Sequence, residues 1–219
     1  FEVTIKRKKV LSNESIKKQE ISLESLKADP LNSKLHFDLA NKYFENSNYF
    51  SAFAELKTAQ YLAFDKSQIL SKIKTFKAKI PDLIVMNHSR YFRLKSLGSE
   101  IDKIASSLSV KPTILDIGGG DGALAAFIPD YSYCLVEPTV NGINGLDLPF
   151  RDESFDLVVS CHVLEHIPIY EREEFLDQLI SKAKEGVILL NPIYIEKIFP
   201  KEGIQLIVDM TNSDWAKEH

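Results

Sequence analysis

Two patterns of apolar spacing divide the chain near residue 80. In the first part, apolar residues such as Leu39 and Tyr43 recur every three or four positions, which is typical of a helix with one buried face. In the second part, apolar residues form short unbroken runs, as in residues 155–161, which is typical of buried strands. The spacing therefore predicts a helical region over residues 1–80 and an α/β domain over residues 81–219.

Polar breaks and prolines set the expected limits of the helices. A first helix is expected over Ser12–Ala28, ending before Asp29-Pro30, because proline disfavours helix in the residue before it. A second begins near Ser33, and Asn46-Ser47-Asn48 separates it from a third. This pair predicts a helical hairpin. Two further helices are expected over Leu83–Leu97 and Ser99–Leu108.

The second part alternates between strand and helix patterns. Strands alternating with helices favour a doubly wound, mostly parallel sheet covered on both faces. In such sheets ligands bind beyond the carboxyl ends of the strands. Strands are expected at Thr113–Ile117, Tyr133–Glu137, Gly145–Asp147, Phe155–Cys161 and Gly186–Asn191, and helices at Ala123–Phe127 and Arg172–Ala183.

A glycine-rich turn follows the first strand and is the strongest indication of a ligand site. The sequence runs Ile-Leu-Asp-Ile-Gly-Gly-Gly-Asp-Gly over residues 114–122. Gly118, Gly120 and Gly122 allow a tight turn and a close approach of backbone to ligand, since glycine has no side chain and accepts positive φ. A helix that follows the turn would present free N–H groups to the same ligand.

Carboxylates at strand ends indicate what this ligand contains. Asp116 precedes the glycines, where dinucleotide-binding loops are usually apolar, and Glu137 ends the second strand. An acid at the end of the second strand accepts hydrogen bonds from ribose hydroxyls. Asp147 can accept from an exocyclic amine, and Leu148 can pack on a purine ring. These residues therefore predict a ligand that contains a nucleoside.

Together these residues resemble a class I S-adenosylmethionine-dependent methyltransferase with a methyltransferase type 11-like domain. The likeness covers about residues 112–192 and is carried by residues 114–122, Glu137 and the stretch Leu146-Asp-Leu-Pro-Phe-Arg-Asp-Glu-Ser-Phe-Asp-Leu-Val-Val-Ser-Cys-His-Val-Leu-Glu-His-Ile-Pro168. The resemblance implies a Rossmann-like fold and S-adenosylmethionine as cofactor. It further implies that Asp116 and the three glycines hold the methionine end, that Glu137 binds the ribose, and that Asp147 and Leu148 lie at the adenine. Ser160 and Cys161 would then end the fourth strand, where a backbone carbonyl meets the cofactor's amino group.

The resemblance also places His166 and Glu165 at the acceptor, as base or orienting group, and His162 is a less favoured candidate for the same role. Methyl transfer needs alignment and, for a protonated nucleophile, a base, and no metal is expected. Asp152 and Asp156 are interpreted as parts of a polar turn and not as a catalytic pair. Polar and aromatic residues before the glycine loop are interpreted as solvated or capping residues in preference to a cover for the cofactor: Asn87, His88, Arg90, Tyr91 and Arg93.

The family's last helix and antiparallel strand pair have no counterpart in the sequence. Only Pro192–His219 follow the fifth expected strand, and Ile204–Val208 is the one further strand pattern there. The domain is therefore expected to be incomplete at its C-terminus, because an open sheet edge leaves apolar faces and backbone groups uncovered. Weak cofactor binding by this chain is a further expectation.

The helical hairpin resembles a tetratricopeptide repeat over about residues 33–66. Small and aromatic residues fall at the positions where the two helices of that repeat cross: Leu39, Ala40, Tyr43, Ala52, Leu56 and Ala59. The proline usual near the end of the repeat is missing. The resemblance implies a protein partner for this region, and an unrelated helical cap is the alternative.

Composition narrows the class of protein more than its function. The 219 residues are 44% hydrophobic with a formal net charge of −4, as expected for a folded domain pair. Residues 1–110 hold 19 Lys and Arg against 12 Asp and Glu, and the remainder 8 against 19. No arginine cluster with interleaved aromatics accompanies the basic half, which argues against nucleic acid. With two cysteines and no membrane-length apolar run, a cytoplasmic location without a membrane span is expected.

Two other functions are compatible with parts of the sequence. Gly118-Gly-Gly-Asp-Gly-Ala123 also fits the glycine pattern of a nicotinamide-dependent oxidoreductase, although Asp116 argues against it. A non-catalytic interaction module would rest on the helical repeat. The methyl acceptor is expected to be a small molecule or a glycan or lipid precursor, since the resemblance is to the small-molecule branch of the family.

Overall fold

The computed structural model describes residues 23–192 and contains one four-stranded parallel sheet. The strands are β1 (Thr113–Ile117), β2 (Ser132–Val136), β3 (Phe155–Cys161) and β4 (Ala183–Leu190), in the spatial order β2-β1-β3-β4. All three pairings are parallel. The α/β class expected from the sequence is confirmed.

Each face of the sheet packs into its own apolar core. Successive strand residues point to opposite faces, so Ile114 and Leu135 pack towards the N-terminal helices while Leu115 and Val136 pack towards the other side. The second core is completed by Phe175 of the helix Arg172–Lys182. Covering both faces explains why the strands read as unbroken apolar runs.

Six α-helices are labelled here in chain order. They are α1 (Ser33–Glu45), α2 (Tyr49–Leu62), α3 (Ser67–Lys77), α4 (His88–Ala105), α5 (Leu124–Phe127) and α6 (Arg172–Lys182). Residues 23–28 are also helical. Short 3-10 turns lie at Leu83–Val85, Leu164–His166 and Ile169–Glu171.

Helices α1 and α2 form the expected hairpin. The Asn32 side chain caps α1 by accepting from the backbone N–H groups of Lys34 and Leu35. Helix α2 is buried along its whole central stretch, from Ser51 to Ala59, because α1 covers one side and strand β2 the other. The hairpin is thus part of the sheet's cover. Its likeness to a tetratricopeptide repeat stays a prediction.

Helix α4 differs from the two helices expected before the glycine loop. It begins at His88, where the Asn87 side chain accepts from the N–H of Arg90, and continues to Ala105 without a break at Gly98. Gly98 is buried, and a Cβ there would lie 3.5 Å from a methyl of Ile128. The prediction of a boundary at Gly98 was wrong, because the helix runs through this glycine, where an added Cβ would make only an ordinary contact.

The expected short strand at Gly145–Asp147 is absent, and these residues form a turn. The outer edge of β2, where a further strand would pair, is occupied instead. The Leu135 N–H donates to Thr58 Oγ1 at 2.9 Å, and the Leu135 carbonyl accepts from Asn141 Nδ2 at 2.8 Å. Helix α2 and the Asn141 side chain therefore take the place of the strand.

The remaining predictions either agree with the structure or concern residues outside the described range. Helix α5 is one turn long and lies where a helix after the glycine loop was expected. Within residues 23–192 no helix is long and apolar enough to cross a membrane. The pattern at Ile204–Val208 and most of the helix expected over Ser12–Ala28 lie outside the described residues.

Candidate active site

A cavity of about 330 Å³ opens beside the carboxyl ends of β1 and β3. Helix α4 forms one wall, and the glycine loop forms another. It is lined by Arg90, Arg93, Leu94, Leu97, Asp116, Gly118, Gly119, Gly120, Asp121, Leu124 and Cys161. The cavity lies where ligands of doubly wound sheets are expected.

Three glycines of the loop adopt positive φ for different reasons. Gly118, Gly120 and Gly122 have φ of 72°, 58° and 74°. A Cβ at Gly118 would lie 2.3 Å from Val163 Cγ2, and one at Gly122 would lie 2.3 Å from the Cβ of Ala54. No atom lies within 4 Å of a Cβ built at Gly120. Gly118 and Gly122 therefore permit packing within the protein, whereas Gly120 faces open space.

The Asp116 carboxyl is buried beneath the loop and lines the cavity. Its Oδ2 accepts from the Tyr133 hydroxyl at 2.6 Å. Burial raises the pKa of Asp116 to about 7, the bond from Tyr133 opposes this shift, and the charge of Glu137 adds to it. The group therefore changes charge near neutral pH.

Glu137 follows β2 and ties the glycine loop to the end of that strand. Its Oε2 accepts from the Gly120 N–H at 3.0 Å, and its Oε1 accepts from the N–H and hydroxyl of Thr139 at 3.0 and 2.7 Å. A carboxylate offers about four lone-pair sites, so these three bonds leave about one for a ligand hydroxyl. Sequence reasoning missed Thr139, whose role depends on the turn after the strand.

Asp147 and Leu148 do not line the cavity. Asp147 is exposed and its N–H donates to the Asn144 carbonyl at 3.2 Å. Leu148 packs into the core on the far face of the sheet, with Phe150 and Phe155. Their assignment to the adenine stays a prediction.

The two residues at the end of β3 differ in their access to the cavity. Ser160 is fully buried, and its hydroxyl oxygen has no hydrogen-bond partner among the described residues. Cys161 lines the cavity, and burial raises the pKa of its thiol to about 11. The thiol is therefore protonated at neutral pH and is a poor nucleophile.

The loop after β3 separates the three polar residues expected near an acceptor. His162 has φ of 57°, and its Nδ1 lies 2.9 Å from Glu165 Oε1. Burial and the charge of Arg93 lower the pKa of His162, while Glu165 opposes them. His166 is exposed. Glu165 is thus a partner of His162, a residue that the sequence favoured less than His166.

Two arginines of α4 were underestimated by the sequence reasoning. Arg90 and Arg93 line the cavity, so the preferred interpretation of them as solvated residues was wrong. The Arg90 guanidinium pairs with the Asp121 carboxylate. Arg93 Nε is buried and has no hydrogen-bond partner among residues 23–192. Their spacing of three on a helix leading to the loop was the available signal.

Asp152 and Asp156 make separate contacts, and Asp156 lies within β3 and not in the polar turn that was expected. Asp152 pairs with Lys182 at 2.6 Å. Asp156 accepts from the N–H and the hydroxyl of Thr113 at 2.7 and 2.9 Å, which fastens β1 to β3. Across the described part of the chain, no group of three His, Cys, Asp or Glu could hold a metal ion.

Comparison with known families identifies the second part of the chain. A family model described as a methyltransferase domain matches residues 88–192. That stretch begins with α4 and includes the whole sheet and the cavity. The match identifies residues 88–192 as a methyltransferase domain. The match gives no support to the nicotinamide-dependent alternative.

Two curated relatives of this chain come from mycobacteria. Proteins of Mycobacterium avium and Mycolicibacterium paratuberculosis, each named as an uncharacterized methyltransferase, are 36% identical to it over stretches covering 26% of this chain. The aligned parts are 30% and 29% of those proteins. The chain thus spans under a third of the length of the curated relatives it matches.

Two solved structures are also similar to the methyltransferase domain. One protein, from Methanococcus maripaludis, is described as an S-adenosylmethionine-dependent methyltransferase and is 14% identical, with 57% of this chain and 68% of that chain covered and a TM-score of 0.37. The other, from Thermotoga maritima, carries the same description and is 22% identical, with coverages of 60% and 67% and a TM-score of 0.37. The family assignment rests on the domain match and not on these two.

S-adenosylmethionine is the cofactor of this domain family, and several features of the cavity fit it. Gly120 lines the cavity, and the open space beside it would be occupied by any larger side chain. Arg93 lines the cavity, and its buried Nε has no hydrogen-bond partner among the described residues. Asp116 offers a carboxyl group to a cationic amine. The methyltransferase domain therefore presents complementary groups for a methionine moiety.

Proposed function

We propose that the protein transfers a methyl group from S-adenosylmethionine to an acceptor bound beside the cavity. The observation that carries the proposal is the cavity at the carboxyl edge of the sheet, where Asp116 and Gly120 meet in a methyltransferase domain. Glu137 reaches the same loop through its bond to the Gly120 N–H. The three residues are among those that the sequence placed at the cofactor.

The methionine end of the cofactor lies in the cavity under this proposal. Asp116 accepts from the amino group, and Arg93, whose Nε has no partner among the described residues, donates to the carboxylate. Glu137 accepts from the ribose with its remaining lone pair. Ser160 and Cys161, at the end of β3, are the residues whose backbone is expected to meet the cofactor's amino group.

The chemistry required of this chain is positioning and, for some acceptors, proton removal. The bound cofactor supplies an electrophilic methyl group on a sulfonium. The side chains of the cavity hold the reactants in line, which is the main source of rate enhancement in such a transfer. For an acceptor that carries a proton on its nucleophilic atom, a basic nitrogen near the cavity is also needed.

His162 supplies that basic nitrogen in this scheme, and Glu165 orients it. The Glu165 carboxylate, 2.9 Å from His162 Nδ1, favours a proton on that nitrogen by its charge, so Nε2 is the nitrogen that takes a proton. The lowered pKa of His162, caused first by burial and then by Arg93, keeps the ring neutral at pH 7. His166, which the sequence favoured as base, remains the competing candidate.

The acceptor and the partners are proposed from the resemblances found in the sequence. The acceptor is a small molecule or a glycan or lipid precursor, and nucleic acid is not proposed. A protein partner at the helical hairpin rests on its likeness to a tetratricopeptide repeat. A cytoplasmic location stays a prediction from the sequence.

Cofactor binding is tested by isothermal titration with S-adenosylhomocysteine. The wild-type chain is expected to bind, and Gly120→Asn is expected to lose binding by about a hundredfold or more, because its side chain occupies the open space beside this position. Asparagine accepts positive φ at low cost, so the variant should fold. Gly186→Asn is the matched control, since a Cβ there also meets open space. Absence of heat from the wild type at about 1 mM ligand would contradict the proposal.

Transfer itself is tested with radiolabelled S-adenosylmethionine and a lysate of cells that lack the protein. Label should enter one chemical class of acceptor with the wild type, and Asp116→Ala should abolish this labelling. Equal labelling by the two proteins would show that the cavity is not the site.

Once an acceptor is known, His162→Asn and His166→Asn separate the two histidines. His162→Asn is expected to lower kcat by about a hundredfold with little change in the KM of the cofactor, and His166→Asn to leave kcat near the wild-type value. The reverse order would restore His166 as the base. Equal, small effects of both would indicate an acceptor that needs no base.

A further inference from the structure

Helix α2 reaches the cofactor loop directly, and this inference rests on the proposed function. The Ser51 hydroxyl donates to the Asp121 carbonyl at 3.1 Å. One turn later the Cβ of Ala54 lies against Gly122, where an added Cβ would come within 2.3 Å of it. The loop thus rests on two small residues of α2, outside the stretch that the family model matches.

Asn141 is the second link between the hairpin and the cofactor site. It is fully buried, and its Nδ2 donates to Glu55 Oε1 at 2.9 Å and to the Leu135 carbonyl at 2.8 Å. Its Oδ1 accepts from the N–H groups of Glu137 at 3.1 Å and Ile143 at 3.3 Å. The amide can adopt only this orientation, because its acceptor neighbours require the NH₂ group and its donor neighbours the oxygen.

Glu55 is itself fixed on the side away from Asn141. Its Oε2 lies 2.6 Å from His36 Nδ1, and His36 Nε2 lies 2.9 Å from the Pro30 carbonyl. Both side chains of this pair are fully buried. Burial lowers the pKa of His36, but Glu55 and Pro30 raise it further, above the usual value. A charged pair of this kind holds Glu55 in one position.

We infer that Glu55 and Asn141 are positioning residues for the cofactor, acting through Glu137. The series His36–Glu55–Asn141–Glu137 runs from the first helix of the hairpin to the carboxylate that holds the Gly120 N–H. Its two middle members set the place of the Glu137 backbone, from which that carboxylate extends. The hairpin is therefore a structural part of the cofactor site.

Asn141→Asp in the full chain tests this role. The substitution keeps the shape but removes the donor and places a second carboxylate beside Glu55. The Kd for S-adenosylhomocysteine is expected to rise by about tenfold. The double variant Asn141→Asp with Glu55→Gln returns a donor to the pair and is expected to recover most of the loss. Asn144→Asp, the same change at an exposed position of the same turn, should leave the Kd unchanged.

Circular dichroism at the temperature of titration confirms that each variant is folded, and Asn141→Ala replaces Asn141→Asp if the latter is not. A purely structural role would lower the melting temperature without changing the Kd of the folded protein. Wild-type affinity in a folded Asn141 variant would overturn the inference. Failure of the wild type to bind would instead overturn the proposed function, so the two outcomes are distinct.

Discussion

At the scale of single residues, the ionisation of Asp116 controls the proposed cofactor site. Burial raises its pKa to about 7, against about 3.9 in an unfolded chain. Since the folded state disfavours the ionised form, this group makes folding less favourable as the pH rises from about 4 to about 7. A cationic group of the ligand favours the ionised form of Asp116. As the pH rises, ligand binding therefore becomes stronger, whereas the contribution of Asp116 to folding becomes less favourable.

Affinity for S-adenosylhomocysteine is therefore expected to increase with pH across neutrality. Below pH 7 the Kd should fall by up to about tenfold per pH unit, because one proton leaves Asp116 for each amino group bound, and above pH 8 it should level off. Titrations at pH 5.5, 6.5, 7.5 and 8.5 measure this slope.

Two variants test whether the pH dependence of the Kd arises from Asp116. Asp116→Asn should bind weakly at every pH and show no slope. Tyr133→Phe removes a hydrogen bond that lowers the pKa of Asp116, so its rise in affinity should occur at higher pH. A wild-type Kd that does not change with pH would mean that Asp116 does not meet the amino group.

The site residues that could be predicted from the sequence are those whose role follows from their place at the end of a strand. Asp116 and Glu137 could be recognised because they follow apolar runs at fixed distances from the glycines. Arg93, Thr139 and Asn141 could not, because their partners are set by helix packing and by the turn after β2. A sequence pattern records local spacing, whereas these contacts depend on tertiary structure.

At the scale of elements, the strands of the sheet were predicted within about three residues at each end, and the one failure has a physical cause. A strand at Gly145–Asp147 would have to pair with the outer edge of β2. That edge already has its Leu135 N–H and C=O satisfied by Thr58 and Asn141. The apolar pattern of the segment could not reveal that a helix occupies this edge.

Thr58 is therefore expected to be important for stability. Its Oγ1 accepts from the Leu135 N–H at 2.9 Å and donates to the Ala54 carbonyl at 3.1 Å. Thr58→Val keeps the shape but leaves the strand N–H buried and unpaired, which should lower the free energy of unfolding by roughly 1–3 kcal/mol. Urea denaturation measures this loss.

Thr58→Ser is the matched control, because it keeps the hydroxyl and removes one methyl group. Its loss should be about 1 kcal/mol, from reduced apolar burial. If Thr58→Val were at least as stable as Thr58→Ser, the hydroxyl would not be needed to cover the strand edge.

At the scale of the whole molecule, the hairpin and the sheet share one core. Leu39 and Phe53 of the helices belong to the same apolar cluster as Ile114 and Leu135 of the strands. Polar contacts cross the same boundary, as where the Tyr43 hydroxyl donates to the Val140 carbonyl at 2.6 Å. The division at residue 80, which was predicted from the change in apolar spacing, stays a prediction about folding units.

A fragment of residues 81–219 tests whether the chain folds as two independent units or as a single unit. Removal of the hairpin would expose Leu135 and leave its N–H without Thr58, and it would remove Glu55 from Asn141. We expect this fragment to show no cooperative thermal transition and no binding of S-adenosylhomocysteine, whereas the 219-residue chain unfolds in one transition and binds. A fragment that melts cooperatively and binds like the full chain would establish the boundary at residue 80. It would also show that the hairpin is dispensable for the cofactor site, because Glu137 would then hold its position without Glu55.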